Sequence, residues 1–415
     1  MKSVLICGYR MTRMGRDLLG SCSRCLILFC VFAVVTLVQH IHYEKLYIES
    51  GQQFSRLCRH DAGNWSRLNL SDDFPLMPAR FRRERSQEAL NGVLEFNSTS
   101  CQLLRKETMD VKALSMVTTT ELFQKWRNLQ VCKWEQNKEE TNNIKTSLSE
   151  CCNAPSLLFT TKRNTPSGTK LHYEVTSSGA LDINPAIFKM FPDDMPYSRS
   201  QFKRCAVVGN GGISIDSKCG KEIDSADFVF RCNVPPISDE YSADVGSKTD
   251  IVTINPSIIT ERFQKLERYR KPFFKVLQSY KNASIVLPAF YSRHLTEISF
   301  RVKYTMEDLG SPRGVYFFHP QYLIKVQQFW AQQGVSAKRL STGLMLVSAA
   351  MELCEEVHLY GFWPFPTNPA GTFITHHYYD NVKGRPGFHA MPEELFNFMQ
   401  MHIRGILHLH TQPCS

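Results

Sequence analysis

Three histidines near the C-terminus are candidates for proton transfer at neutral pH, to which the imidazole side chain is best suited. His376, His377 and His389 stand in a glycine- and proline-containing segment, 375–394, which predicts a loop. Because histidine titrates near neutral pH, the group favours general acid or base catalysis. A metal site is an alternative, but adjacent histidines are poor chelators and no His-Glu-x-x-His sequence accompanies them. Surface histidines without a role are the simplest alternative.

The start of a predicted helix at Ser341, Thr342 and Gly343 is the second candidate. A helix that opens Ser-Thr-Gly exposes backbone N–H groups and the positive end of its dipole, which suit a phosphate or carboxylate. An ordinary N-cap without a ligand remains an alternative. The helix leads into a predicted strand, 357–360, and then to Trp363, whose ring either stacks on a base or sugar or fills the core.

The third candidate is a set of strand ends that carry Asn210, within Gly-Asn-Gly-Gly, and Asn233, within Arg-Cys-Asn. Apolar runs predict three strands here, at 205–208, 228–230 and 251–254. Ligands bind at the carboxyl ends of the strands in open α/β sheets, and glycines there let the backbone approach a phosphate or ribose. Gly-x-Gly-Gly alone fits a tight turn that binds nothing equally well.

These candidates need a fold that brings strand ends and a helix start together. Further strands predicted at 285–288 and 315–319 alternate with helical segments, which indicates an α/β fold with a mainly parallel sheet flanked by helices. Between residues 101 and 152, apolar residues recur at helical spacing and predict cover for one face of the sheet. The net charge of +10 is scattered, so nucleic-acid binding is not expected.

The N-terminus indicates a membrane anchor. A basic segment, 1–24, precedes an apolar run, 25–43, which is long enough to cross a thin bilayer, and no small-residue cleavage site follows it. We therefore expect a cytoplasmic tail, a single-pass signal anchor and a lumenal remainder. Residues 44–98 lack periodicity and predict a flexible stem, and residues 99–415 form the expected lumenal catalytic domain.

Glycosylation sequences and cysteine usage fit a lumenal compartment. Four Asn-x-Ser/Thr sequences occur, at Asn64, Asn69, Asn97 and Asn282. Ten of the 14 cysteines follow the predicted anchor, and none of these ten forms a Cys-x-x-Cys pair, so we expect disulfides rather than a metal site.

Taken in order, these stretches resemble the sialyltransferase family. Segments 204–255, 340–365 and 375–394 resemble its large, small and very-small sialylmotifs, and His-His-Tyr-Tyr-Asp at 376–380 resembles its short third motif. The resemblance covers about residues 100–415. Gly-Asn-Gly-Gly, Phe-Arg-Cys-Asn, Leu-Ser-Thr-Gly-Leu and Phe-His-x-Met-Pro are similar to the α-2,8 subgroup, chiefly its type V (ganglioside) members and next its type VI members. A longer stem is the departure from the family pattern.

The resemblance implies a Golgi membrane enzyme with a Rossmann-like sheet, a variant of the GT-A type. It implies inverting transfer of sialic acid from CMP-sialic acid to the 8-hydroxyl of a terminal sialic acid, on a ganglioside or, alternatively, on a glycoprotein glycan. A homodimer is one expected assembly. The chain lacks the Asp-x-Asp sequence with which many nucleotide-sugar transferases hold a metal, so we expect no metal cofactor, and a histidine and helix-end donors would stabilise the leaving phosphate.

The resemblance also implies which residues hold the donor. Asn210 and Asn233 would bind the nucleotide and the donor sugar. Ser341, Thr342 and Gly343 would hold the donor at the helix start.

The remaining implied roles concern aromatic and titratable side chains. Trp363 would contact the cytidine side. His376 or His377 would neutralise the leaving phosphate, with His376 favoured for direct contact. His389 would be the general base, with Glu394 near it.

The resemblance implies disulfides between Cys205 and Cys354 and between Cys219 and Cys414, and it assigns nothing to Cys132, Cys151, Cys152 or Cys232. Two other classes of protein remain open on the sequence. One is a metal-dependent nucleotide-sugar transferase, and the other is a lumenal lectin that has the fold without the activity.

Overall fold

The computed structural model describes residues 94–197, 202–382 and 387–414. Its helices are α1 (Thr99–Met109), α2 (Thr119–Leu129), α3 (Lys138–Cys151), α4 (Ala154–Leu157), α5 (Pro185–Met190), α6 (Gly220–Asp224), α7 (Asp239–Val245), α8 (Pro256–Arg262), α9 (Arg270–Gln278), α10 (Arg293–Asp308), α11 (Pro320–Gln332), α12 (Thr342–Leu353) and α13 (Met391–Ile403). Its strands are β1 (Lys170–His172), β2 (Ala180–Asp182), β3 (Phe202–Val208), β4 (Phe228–Arg231), β5 (Ile251–Thr253), β6 (Ser284–Leu287), β7 (Val315–Phe317), β8 (Cys354–Tyr360) and β9 (His408–His410).

Seven strands form one parallel sheet in the order β7-β6-β5-β4-β3-β8-β9. The central strands β4 and β5 are short runs that are buried on both faces, as expected where helices cover a parallel sheet. The strand order reverses between β3 and β8, and in an open α/β sheet such a reversal opens a crevice at the carboxyl ends of the strands. The prediction of a mainly parallel sheet with flanking helices is confirmed.

Two apolar layers cover the sheet because successive strand residues point to opposite faces. Ile251 packs into one layer, with helices α2, α11, α12 and α13, whereas its neighbour Val252 packs into the other, with α9 and α10. Helix α12 is buried from Gly343 to Leu353, which agrees with its nearly unbroken apolar sequence. The central strands and α12, which carry the candidate residues, are therefore enclosed by apolar packing.

Some predicted boundaries were wrong by a few residues. The strand predicted at 205–208 begins at Phe202, and the strand predicted at 315–319 ends at Phe317. The antiparallel pair β1–β2 and the edge strand β9 have three residues each and were not predicted. Of the predicted helical stripe, Leu122, Trp126 and Leu129 are buried on α2, whereas Met116 is exposed.

Both disulfides that the resemblance implied are present. Cys205 on β3 is joined to Cys354 at the start of β8, and Cys219 is joined to Cys414 after β9. The structure adds a bond between Cys101 and Cys132 and joins the adjacent Cys151 and Cys152. Cys232 is buried and unpaired, and burial raises the pKa of its thiol to about 12.

The predicted tail, anchor and most of the stem, together with Asn64 and Asn69, lie outside the described residues. Within the described ranges, no helix has the length and apolar character needed to cross a bilayer. Asn97 and Asn282 are described, and both are exposed. The two glycosylation sequences within the fold are thus open to modification.

Candidate active site

The turn after β3 carries Asn210 and is held by two other segments. The Asn210 side-chain N–H donates to the Cys232 carbonyl at 2.9 Å, and the Tyr378 N–H donates to the Asn210 carbonyl at 2.9 Å. The Asn210 Oδ1 atom is buried and has no hydrogen-bond partner among the described residues. A buried polar atom without a partner costs free energy, so this oxygen is placed to accept a hydrogen bond from a ligand.

Asn233 follows β4 at the next strand end. Its backbone adopts φ 62°, a left-handed conformation that asparagine tolerates better than most residues. The Asn233 N–H donates to Thr253 Oγ1 at 3.0 Å, which fixes the turn against β5. The two predicted asparagines therefore lie on neighbouring strand ends, linked through residue Cys232.

The start of α12 is bound to the start of α13. Ser341 caps α12, its Oγ accepting from the Leu344 N–H at 3.1 Å. The Glu394 carboxylate accepts both the Ser341 N–H, at 2.8 Å, and the Ser341 hydroxyl. Glu394 is 3% exposed, and burial raises the pKa of its carboxyl, although the bonds from Ser341 oppose this shift. Glu394, noted in the sequence only as a neighbour of His389, is thus the link between two motifs.

Thr342 and Gly343 continue the helix start towards the sheet. The Thr342 hydroxyl donates to Asn255 Oδ1, at the end of β5, across 3.4 Å. A Cβ at position 343 would lie 2.6 Å from the Phe362 ring, so any larger residue there must displace that ring. The helix start is thereby seated against two strand ends.

Trp363 lies in the core. It is 4% exposed, its ring packs on Phe123 of α2 at a centroid distance of 4.9 Å, and its indole N–H donates to the Thr367 carbonyl at 2.7 Å. In this arrangement the ring has no free face for a cytidine. The cytidine contact expected for Trp363 stays a prediction.

The adjacent histidines are held in different ways. His377 Nδ1 lies 2.7 Å from Asp380 Oδ1, and the ring stacks on Tyr379. The His376 N–H donates to Asn381 Oδ1, and its ring contacts that of His377 at 4.5 Å. An isolated backbone bridge pairs His377 with Gly211, so the third motif is attached to the Asn210 turn. The assignment of the phosphate contact to His376 stays a prediction.

His389 lies at the edge of an open pocket of about 510 Å³. The pocket is lined by Ser336, Ala337, Lys338, Gly387, His389, Ala390, Pro392 and Glu393. His389 Nδ1 lies 2.8 Å from the Arg339 carbonyl oxygen, which can only accept, so Nδ1 carries the proton and Nε2 keeps its lone pair. Burial lowers the pKa of His389, although the bond to the Arg339 carbonyl opposes the shift. The neutral ring is in the form that a general base requires.

The segment that holds His389 is itself fixed by a buried ion pair. The Arg339 guanidinium donates two hydrogen bonds to the Glu174 carboxylate, at 3.1 and 3.0 Å, and both side chains are less than a tenth exposed. The same guanidinium lies 4.4 Å from the centre of the Tyr291 ring. Sequence reasoning missed this pair. Its one signal is an arginine directly before the Leu-Ser-Thr-Gly motif.

The structure thus groups the predicted residues in two parts. Asn210, Asn233, Thr342 and His377 lie around the strand ends and are connected by hydrogen bonds or backbone pairing. His389 lines the open pocket and is joined to the first part through the run Arg339-Leu340-Ser341. Such an arrangement suits a donor at the strand ends and an acceptor in the pocket.

Comparison with known proteins agrees with the motifs. The sequence profile of glycosyltransferase family 29 (sialyltransferase) matches residues 158–406. The chain belongs to this family. It is 57% identical over 401 residues to the human protein named alpha-2,8-sialyltransferase 8E, covering 97% of each chain. It is 48% identical over 288 residues to mouse alpha-2,8-sialyltransferase 8F, covering 69% of this chain and 72% of that protein.

A crystal structure described as a mammalian sialyltransferase in complex with Gal-beta-1-3GalNAc-ortho-nitrophenol also matches. It is 22% identical, covers 67% of this chain and 88% of that chain, and has a TM-score of 0.37. The predicted membership of the sialyltransferases, and of their α-2,8 subgroup, is confirmed by the family profile and the two relatives. The protein is a glycosyltransferase.

Proposed function

We propose that this sialyltransferase transfers sialic acid from CMP-sialic acid to the 8-hydroxyl of a terminal sialic acid, with His389 as the general base. The acceptor is a ganglioside, and a sialylated glycoprotein glycan is the second candidate. The α-2,8 linkage is the one in the names of the relatives that match over most of the chain. The observation that carries the proposal is His389 at the pocket edge, its Nε2 lone pair left available by the Nδ1 bond to the Arg339 carbonyl.

The reaction is a single displacement at the anomeric carbon of the donor sugar. The acceptor oxygen forms a bond to that carbon while the bond to the phosphate oxygen breaks, so the configuration inverts and CMP departs. The proton of the acceptor hydroxyl passes to His389 Nε2. Because an unassisted hydroxyl is a poor nucleophile, a positioned base contributes about 10²–10⁴-fold to the rate.

The donor lies at the strand ends in this proposal. The buried Asn210 Oδ1 atom supplies an acceptor without a partner of its own, and the start of α12 supplies backbone donors for an anion. His376 carries the role of neutralising the leaving phosphate. No Asp-x-Asp sequence is present, so the proposal includes no catalytic metal. Transfer that stops in excess EDTA and resumes with Mn²⁺ or Mg²⁺ would favour the metal-dependent alternative.

The proposal includes a compartment. The basic segment and apolar run at the N-terminus support a single-pass Golgi membrane protein with a lumenal catalytic domain. The exposed Asn97 and Asn282 then carry N-glycans. Enzymatic removal of N-glycans should increase electrophoretic mobility. A smaller increase in the variant Asn282→Gln would show that Asn282 carries one of the glycans. A mobility unchanged by the treatment would contradict the lumenal assignment.

The test of the chemistry is the variant His389→Asn beside His389→Ala. The asparagine amide can still donate to the Arg339 carbonyl but cannot act as a base. Both variants should lower kcat by about 100-fold or more, while the dissociation constant for CMP changes by less than about twofold. His294, which is exposed on α10, supplies the control variant His294→Ala.

The pH dependence gives a second measure of the same assignment. Burial lowers the pKa of His389 below its ordinary value of 6.5. The value of kcat/KM should therefore decrease on the acid side with a midpoint below pH 6.5. This acid limb should vanish in His389→Asn, whose residual activity has no titrating base. Normal turnover in a folded His389 variant, or an equal loss of CMP binding, would refute the assignment. A chain that binds CMP-sialic acid and a sialoside but never turns over would instead support the lectin alternative.

A further inference from the structure

A group of buried histidines lies at the edge of the sheet and takes no part in the proposed transfer. His358 on β8 is paired with His408 on β9, and His410 is two residues further along β9, so all three face the same side. His358 Nδ1 lies 2.9 Å from His410 Nε2, and the two side chains are 6% and 10% exposed. Two imidazole nitrogens at this separation share one proton, and that proton can be replaced by a cation.

A carboxylate completes a set of three ligand atoms. Glu222 Oε1, on α6, lies 3.8 Å from His358 Nδ1 and 3.7 Å from His410 Nε2. In a tetrahedral zinc site with bonds of about 2.0–2.1 Å, neighbouring ligand atoms are about 3.3 Å apart. The three observed separations bracket this value. A zinc ion between these atoms therefore needs shifts of only a few tenths of an ångström.

The surrounding groups orient these atoms as partners of metal ligands commonly do. His358 Nε2 contacts the Glu356 carboxylate, and a carboxylate behind a histidine fixes the ring and raises the basicity of the nitrogen facing the metal. The Tyr360 hydroxyl donates to Glu222 Oε1 at 2.9 Å. Arg204 donates to the same oxygen, at 2.7 Å, and brings a positive charge, so a zinc ion bound at Oε1 displaces one of these two donors. The two negative charges of Glu222 and Glu356 offset the positive charge of Arg204 and one of the two positive charges of a divalent ion.

His408 is a further histidine beside His358 and His410. Its ring centroid is 3.9 Å from that of His410, and the ligand nitrogens of the three histidines lie within 4.8 Å of one another. The His408 ring also stacks on Trp134. The neutral form of imidazole is the one that binds metal. Cys414 is also near, but it is held in its disulfide with Cys219.

We propose that His358 and His410, with Glu222 and His408 as the further ligands available beside them, bind a structural Zn²⁺ ion. The ion fastens β9 to β8 and α6. Strand β9 has three residues and a single neighbour in the sheet, and the ion would add to the hold of the buried Leu409 and of the Cys219–Cys414 bond. Nitrogen and carboxylate ligands in a tetrahedral arrangement favour zinc over magnesium or calcium, which prefer six or more oxygen ligands.

The experiment measures zinc in the full-length protein, purified in detergent with a tag that contains no histidine. Mass spectrometry of the metal should find about one zinc ion per chain. His358→Gln and His410→Gln should each retain less than about a tenth of it, and His294→Gln, an exposed histidine on α10, should retain all of it. Removing the metal from the wild type with a chelator should lower Tm by about 5 °C or more, and added zinc should restore it.

The measurement on the wild type decides the matter even if a variant does not fold. A folded wild-type protein with no stoichiometric zinc, and with a Tm that added zinc leaves unchanged, overturns the proposal. Cobalt substitution adds a readout of geometry, because tetrahedral Co²⁺ absorbs strongly in the visible range. The turnover of zinc-depleted protein, assayed well below its Tm, should match that of the holoprotein. A loss of turnover with no change in Tm would place the metal in catalysis and contradict both this site and the metal-free transfer.

Discussion

Glu174→Gln is expected to lower both the stability and the turnover of the protein. Glu174 neutralises Arg339, and the Arg339 carbonyl holds the proposed base, His389. Arg339 and Glu174 form two hydrogen bonds in a site where neither side chain is more than a tenth exposed. Removing one partner of such a pair leaves an uncompensated buried charge, which costs about 3–5 kcal/mol. For a domain of this size that loss corresponds to a decrease in Tm of about 10 °C.

The effect on turnover follows from the backbone of the same residue. The Arg339 carbonyl accepts from His389 Nδ1 at 2.8 Å, and the Arg339 N–H donates to the Phe388 carbonyl at 3.4 Å, so the two segments are bound to each other in both directions. Loosening Arg339 lets the imidazole turn away from the pocket. We expect kcat to fall about tenfold at a temperature where the variant is folded, since small errors in orientation carry large rate penalties. The dissociation constant for CMP should not change.

A double variant separates charge from positioning. Glu174→Leu with Arg339→Met replaces the ion pair by apolar side chains, which is often neutral for stability, and leaves the carbonyl at position 339 in place. The double variant should recover most of the Tm and most of the kcat lost in Glu174→Gln. Differential scanning fluorimetry and steady-state kinetics at several pH values measure both. If Glu174→Gln loses stability but keeps its kcat and its acid limb, the ion pair does not position His389.

Two further predictions concern the framework. Cys205→Ser and Cys354→Ser should each lower the free energy of unfolding by about 2–5 kcal/mol, because the bond closes a loop of 149 residues. The double variant should be hardly less stable than either single one, because both substitutions break the same bond. Additive losses in denaturant melts would show that the two cysteines are not partners. Burial raises the pKa of Glu352 to about 7 from its ordinary value of 4.5, so the folded protein holds this proton more tightly than the unfolded chain does. The stability that results, about 3 kcal/mol, is fully present below about pH 4.5 and is lost as the pH rises through 7. Glu352→Gln should flatten that dependence of Tm on pH, and a wild-type Tm that does not fall between pH 5 and 8 would refute it.

The sheet could be predicted from the sequence where strands are continuous apolar runs that end in polar turns. Phe228–Arg231 and Ile251–Thr253 were found within one residue for that reason. Strand β9 could not be found, because His-Leu-His has no apolar run and becomes a strand only by pairing with β8. The membrane anchor stays a prediction, since residues 25–43 lie outside the described ranges.

The candidate site was predictable where a local rule governs it. Ser341 is an N-cap, as its residue type and the apolar run after it indicate. The partners of the site come instead from distant parts of the chain: Glu174 reaches Arg339 across 165 residues, and Phe123 of α2 packs on Trp363. The burial of Trp363 depends on that helix. No pattern around residue 363 distinguishes a buried tryptophan from one that stacks on a ligand.

The hydrogen bonds at the start of α12 decide which of its donors remain for an anionic donor substrate. The N–H and the hydroxyl of Ser341 both go to Glu394, and the Leu344 N–H goes to Ser341 Oγ. The first N–H groups of a helix have no partner within it, so those of Thr342 and Gly343 remain as donors for an anion. A hydroxyl contact from Ser341 to a phosphate would leave the buried Glu394 carboxylate short of a donor, which costs free energy. In this arrangement Ser341 therefore holds the helix start in place, and we predict that the backbone N–H groups of Thr342 and Gly343 bind the donor.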